Sequence, residues 1–243
     1  NLRGKARSKL ELIGEAFNET KTLPVLISTN TVMSVFSVYL CKTVLCYLLK
    51  DYEKALANAR LADEIVVSVG GMNCFAEHYF YYSLVLLGLA VKAEDKQKQE
   101  YLEIVALNQD KMKIWAEKAP INFKHKYDLI EAEKMRVLGE NWQAIETYEG
   151  AIAGAQNNEY LHEEALACEL AAEFYLERNL KDIAKTYLTK AHYGYSLWGA
   201  TAKVKDLEAN YPQFVGDRTQ MFANKTEKTI TTTGADTASF SLD

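Results

Sequence analysis

The sequence predicts an all-α protein of stacked antiparallel helices, and three observations predict it. Only 3 prolines and 12 glycines occur in 243 residues, about half the usual share of the two residues. No proline interrupts the stretches from Pro24 to Pro120 or from Pro120 to Pro212, both rich in Ala, Leu, Glu and Lys, which are good helix formers. Between Tyr160 and Arg178, the polar residues Glu159, His162, Glu163, Glu169, Glu173 and Glu177 fall broadly on one stripe and apolar residues fill the rest. A helix with so wide an apolar surface is covered on more than one side, as an interior helix of a stack is.

Taken along the chain, nine or ten helices are expected, at 6–18, 25–49 (broken near Thr29–Thr31), 52–69, 72–93, 95–118, 122–139, 141–156, 158–178, 180–197 and 200–210. Asp51 and Asn141 stand where N-caps are wanted. Gly70-Gly71, Gly139 and Gly199 fall at the breaks, where a left-handed residue closes a helix. Pro120 and Pro212 follow helix ends. The apolar run ending at Leu49 approaches the length of a membrane span, but Lys42 sits near its middle, where a charge is costly. It reads as a core helix, as does 75–93. After Pro212 the residues turn Thr-rich with almost no apolar periodicity, so 1–212 reads as one helical domain and 213–243 as an irregular linker or tail.

Small residues recur at one spacing. Ala144, Tyr148 and Ala151 are matched by Ala184, Leu188 and Ala191, and Asp51-Tyr52 is followed by Ala55, Ala59 and Ala62. This is the pattern of close-packed helix pairs, and it resembles the tetratricopeptide repeat. The fold expected is a tetratricopeptide-like antiparallel helical-repeat superhelix, with helices longer than standard and one degenerate pair at 72–118.

Charge and chemistry exclude more than they assign. The net charge is −5 with no evident basic face, which argues against a nucleic-acid partner. The cysteines Cys41, Cys46, Cys74 and Cys168 form no C-x-x-C and read as small core residues in a reducing compartment. The basic N-terminus has no apolar run behind it, so it is not a signal peptide. A start at Asn1 reads as a piece of something longer, and a cytoplasmic location is expected. Glu159-x-x-His162 has the helical spacing of a di-iron ligand pair, but no second such motif accompanies it, so the stripe reads as solvated. No H-E-x-x-H, phosphate loop, H-R-D, D-F-G or Asp-rich D-D-x-x-D is present. No catalytic residue, cofactor or metal is therefore expected, and the chain reads as not an enzyme.

Two features could meet a partner. Tyr79, Tyr81, Tyr82, Tyr127, Tyr160, Tyr193, Tyr195 and Trp198 could line a concave recognition surface or serve packing within each pair. Lys124-His125-Lys126, with Lys134 and Arg136, reads as a solvated helix face or an anion site. The candidate contact residues are Tyr79, Tyr82, Lys126, Tyr127 and Arg136.

The run over 122–212, above all NNEYLHEEALACELAAEFYLERN (157–179) and AHYGYSLWGATAKVKDLEANYP (191–212), resembles the helical region of large cyanobacterial multidomain signalling kinases. In that family a Ser/Thr kinase domain and an ATPase module precede the helices, and GAF-type sensor and histidine-kinase domains follow. The resemblance implies a non-catalytic scaffold whose partners are those modules or a regulatory protein, with no catalytic motif carried over. The alternative is a sensing domain that binds a peptide or small effector in its concave face.

Overall fold

A computed structural model describes residues 1–6, 8–70 and 73–215. They form α1 (Glu19–Ser28), α2 (Val32–Leu48), α3 (Tyr52–Asp63), a 3-10 turn (Val66–Val69), α4 (Asn73–Ala90), α5 (Asp95–Lys118), α6 (Pro120–Leu138), α7 (Asn141–Asn157), α8 (Leu161–Glu177), α9 (Lys181–Trp198) and α10 (Thr201–Asn210). Among the described residues there is no strand, only an isolated bridge between Ile13 and Asn18. Helices α2, α4, α6 and α8 touch one another in succession, and each also packs on the helix that follows it. The result is an all-α helical-repeat array of two rows, an inner row of even-numbered helices and an outer row of odd-numbered ones from α3 to α9. The tail from 216 onward and Gly71 lie outside the described residues.

One closure recurs at the turns. Asn30, Lys50, Gly139, Glu159, Asn179 and Gly199 all have positive φ, between 52° and 80°. Each is followed by a residue whose N–H reaches the carbonyl five positions back: Thr31 to Leu26, Asp51 to Cys46, Glu140 to Met135, Tyr160 to Ala155, Leu180 to Tyr175 and Ala200 to Tyr195, all at 2.9–3.0 Å. This is the Schellman closure of a helix C-terminus. From Glu140 onward it returns at every twentieth residue, so helices of one length repeat in one register. Three tyrosines tie successive repeats at that register: the hydroxyls of Tyr160, Tyr187 and Tyr211 donate to Asn122, Glu149 and Glu173, each 38 residues earlier. Glu159 is exposed and carries the left-handed strain that glycine avoids. Glu159→Gly is expected to raise stability by about 0.5–1 kcal/mol, read as an upward shift of the thermal midpoint.

Several boundaries differ from the sequence reading. The described residues of 6–18 form no helix. The amide of Asn1 donates to the carbonyls of Ser8, Lys9 and Glu11, and regular structure begins only at Glu19, where the Asn18 side chain accepts from the Lys21 N–H. None of the described residues of this arm is buried, so packing does not offset the cost of nucleating a short helix. Pro24 lies inside α1 rather than before a helix, and α1 and α2 are separate. The expected 52–69 helix stops at Asp63 and resumes as a 3-10 turn. Asp51 caps α3, its carboxylate accepting from the Lys54 N–H. Asn141 is not a cap. It is the first residue of α7, and its side chain accepts from Arg178 across the neighbouring turn.

The close approach of paired helices depends on small residues. Ala55, Ala59 and Ala62 in α3, Ala144 and Ala151 in α7, and Ala184 and Ala191 in α9 are buried, together with Tyr148 and Leu188. No described helix is long and apolar enough to cross a membrane. The apolar α2 is largely covered by α3, α4 and α1, and Lys42 pairs with Glu19 at 2.7 Å.

Candidate functional site

The middle of the acidic stripe of α8 lies inside the array rather than in solvent, while Glu159 and Glu177 at its ends are exposed. Glu163 and Glu169 are 2% and 1% exposed, because α8 is flanked by α6, α7 and α9 and Lys203 of α10 reaches across to it. Burial of a carboxylate demands a compensating charge, and each one has it.

Glu169 sits at the centre. It accepts the Tyr195 hydroxyl at 2.7 Å and the Lys203 ammonium at 2.6 Å. Lys50, in the turn after α2, brings its ammonium to 3.3 Å from Glu169 and 2.8 Å from Glu173, held by charge proximity rather than an aligned hydrogen bond. The Lys50 charge also lies about 6 Å from the Tyr47 and Tyr52 rings, a cation–π distance. Towards the start of α8, Glu163 is shared by His125 and Lys126, with His162 at 3.2 Å, and Lys126 is also 2.8 Å from Glu77 of α4. Towards its end, Arg136 bridges Glu133 and Glu177, and Glu133 also accepts the Tyr148 hydroxyl.

The electrostatics fix the ionisation. Burial alone would raise the Glu169 carboxyl, but Lys203 and Lys50 outweigh it and hold it at about 2. Glu163 is likewise buried, and His125, His162 and Lys126 hold it well below the usual carboxylate range. Burial pushes the phenols of Tyr47, Tyr81, Tyr148 and Tyr195 well up. Glu163 and Glu169 are therefore held ionised at neutral pH and are far from poised to exchange a proton. Because their folded values lie below the ordinary 4.5, the pairs contribute stability above that pH and lose it as pH falls from 4.5 towards 2. Urea unfolding midpoints are expected to stay level between pH 7 and 5.5 and to drop steeply below 4.5. A midpoint unchanged at pH 3 would contradict this assignment.

The residues expected to meet a partner are placed otherwise. Tyr79 and Tyr82 are 3% and 4% exposed, because α4 contacts α2, α3, α5 and α6 and has little free face. Tyr79 packs edge-on to Phe75 and tilted against Trp115, and Tyr82 lies against His78. Lys126, 2% exposed, is neither a solvated lysine nor a free anion site, since Glu163 and Glu77 already neutralise it. Arg136 is clamped in the same way. Tyr127 is only partly buried, with Lys124 near its ring. Of the other aromatics, Tyr193 and Trp198 are exposed and Tyr195 is buried, so the set lines no common surface.

Sequence reasoning missed Lys50, Glu77, Glu133 and Lys203. A signal existed for two of them. Lys203 falls in register between buried Ala200 and Leu207, and Glu133 between buried Ile130 and Val137, which are core positions by period. Cys46 and Cys168 are buried as expected, whereas Cys41 is exposed. Among the described residues, no group of three or more His, Cys, Asp or Glu could hold a metal ion.

Comparison with known proteins adds two findings. A family model described as CHK1-like TPR repeats matches residues 33–191. Over 61 residues the sequence is 38% identical to Hybrid signal transduction histidine kinase G of Dictyostelium discoideum, covering 25% of this chain and 2% of that protein. The chain thus spans a very small part of that relative's length. No solved structure matches.

Proposed function

Because the chain belongs to the family of CHK1-like TPR repeats, we propose that it is a non-catalytic scaffold and protein-interaction segment within a larger multidomain signal-transduction kinase. The observation that carries this reading is the pairing of every glutamate from Glu163 to Glu177 that turns inward from α8. These groups hold helices to one another and leave no reactive centre among them. The helical array within 1–212 acts in this reading as one rigid spacer that sets the geometry of catalytic and sensor modules in the cytoplasm. The likeness to a histidine kinase, short as it is, supports that setting. A ligand held by groove tyrosines draws no support from Tyr79 and Tyr82, which are core residues.

Cross-linking of the full-length protein tests the reading. Exposed lysines of the outer helices, such as Lys113 on α5 and Lys185 on α9, are expected to link to flanking kinase or ATPase modules. Links confined to the array, in a reading frame that encodes no such module, would sink it.

A further inference from the structure

The N-terminal arm does more than precede α1. It runs from one end of the array to the other. The Leu2 carbonyl accepts the Ala202 N–H of α10 at 2.8 Å, and Gly4 lies against Thr201. At its far end, Glu19 accepts the Leu12 N–H at 3.0 Å and pairs with Lys42 of α2. The arm is held thinly along this path. Its apolar anchors Leu2 and Leu10 are only partly buried against the core.

It is also undercut. A cavity of about 790 Å³ separates Lys9 and Leu10 from Lys50, Tyr52, Tyr101 and Asp206. Another, of about 440 Å³, separates Ser8, Leu10 and Glu11 from Lys42, Cys46 and Asn58. A segment that faces voids forfeits much of its dispersion contact. Segments with few buried apolar contacts open at lower free energy than the body of a fold.

We propose that the described residues of 1–18 (1–6 and 8–18) are a displaceable strap, closed over the ends of the array, whose lifting merges the two cavities into one cleft that reaches Lys50. The strap is bonded to α10 at Leu2 and shares cavity walls with α2 and α3 through residues 8–11, so a pull on the chain at Asn1 would loosen both. Lys9 and Leu10 would leave the walls of both cavities together. The side of α2 bearing Cys46 would then face solvent, and Lys50, already partly exposed, would open further. This device is independent of what the array scaffolds.

Cysteine labelling reports the opening without a ligand. Cys41 is exposed, Cys168 is buried between helices, and Cys46 is buried where it lines the smaller cavity. Burial raises both thiols, Cys168 to about 12, so the change at Cys46, rather than the order of the two, reports access. In the intact chain, iodoacetamide followed by peptide mapping is expected to label Cys41 and the partly buried Cys74 first, Cys46 next and Cys168 last. Leu10→Asp is expected to speed Cys46 by about tenfold and leave Cys168 unchanged. Hydrogen exchange on the unaltered chain gives the second reading: the amides of Leu12, Gly14 and Glu19, bonded within the arm, should exchange together and well before those of α8. Cys46 as slow as Cys168, arm amides as protected as α8, or Cys46 and Cys168 accelerating in parallel would each overturn the strap.

Discussion

Replacing Glu169 by leucine is expected to cost about 3–5 kcal/mol, the range for removing one partner of a buried ion pair. Lys203 is fully buried, and it would be left with only Asp206, at 3.6 Å. Lys50 would retain Glu173 alone, and the Tyr195 hydroxyl would lose its acceptor. At about 2–4 °C per kcal/mol for a chain of this size, the thermal midpoint should fall by roughly 6–20 °C. The size of the loss reflects stranded lysines rather than the intrinsic worth of the pair. Adding Lys203→Met should therefore recover a large part of it. A double-mutant cycle makes the comparison. If the double variant is as unstable as the sum of the single ones, the coupling described here is wrong.

The second large effect is steric. A Cβ added to Gly194 of α9 would lie 2.8 Å from the Ala165 Cβ and 3.5 Å from its Cα on α8. The two helices cannot keep their spacing with anything larger there. Gly194→Ala gains up to about 1 kcal/mol of helix propensity but loses about 1–3 to overpacking, so a net loss is expected. Gly194→Val should lose several times more. Gly150 on α7 is the matched control: it is exposed, with nothing within 4 Å of its added Cβ. Gly150→Ala is expected to stabilise by about 0.5–1 kcal/mol. The opposite signs of two glycine-to-alanine changes, both within helices, would be measured by chemical denaturation. A stabilising Gly194→Ala would refute the tight contact.

These positions also show how far the fold was legible. The helix at 95–118 and the breaks at Gly139 and Gly199 were readable, because long periodic runs and left-handed glycines leave marks in any sequence. The breaks beside Lys50, Glu159 and Asn179 are also readable, but the left-handed closure at Lys50 and Glu159 is not, since neither residue type marks it, whereas Asn179 is a type that tolerates it. The arm at 6–18 was misread because helix propensity does not report whether a partner face exists to pack on. The buried charges were hardest. Periodicity assigns Glu163 and Glu169 to a wet face, and only the arrival of Lys126 from α6 and Lys203 from α10 makes that face habitable. Such compensation is a property of pairs distant in the chain, which one sequence does not display. Tyr79 and Tyr82 erred in the opposite direction: polar-tipped aromatics suggest an interface, but α4 is walled in by four helices.

The contact of Lys50 with Glu169 has a consequence for how the molecule comes apart. In an open solenoid each repeat touches only its neighbours, so the terminal helices fray first and the array can melt in stages. Here the turn after α2 is bound to α8, and α8 is bound in turn to α10. The early and late repeats are joined in a loop of contacts, and a loop has no end from which to peel. Unfolding should therefore proceed as one cooperative event across the array, with helices at both termini surrendering their structure at the same denaturant concentration as those in the middle.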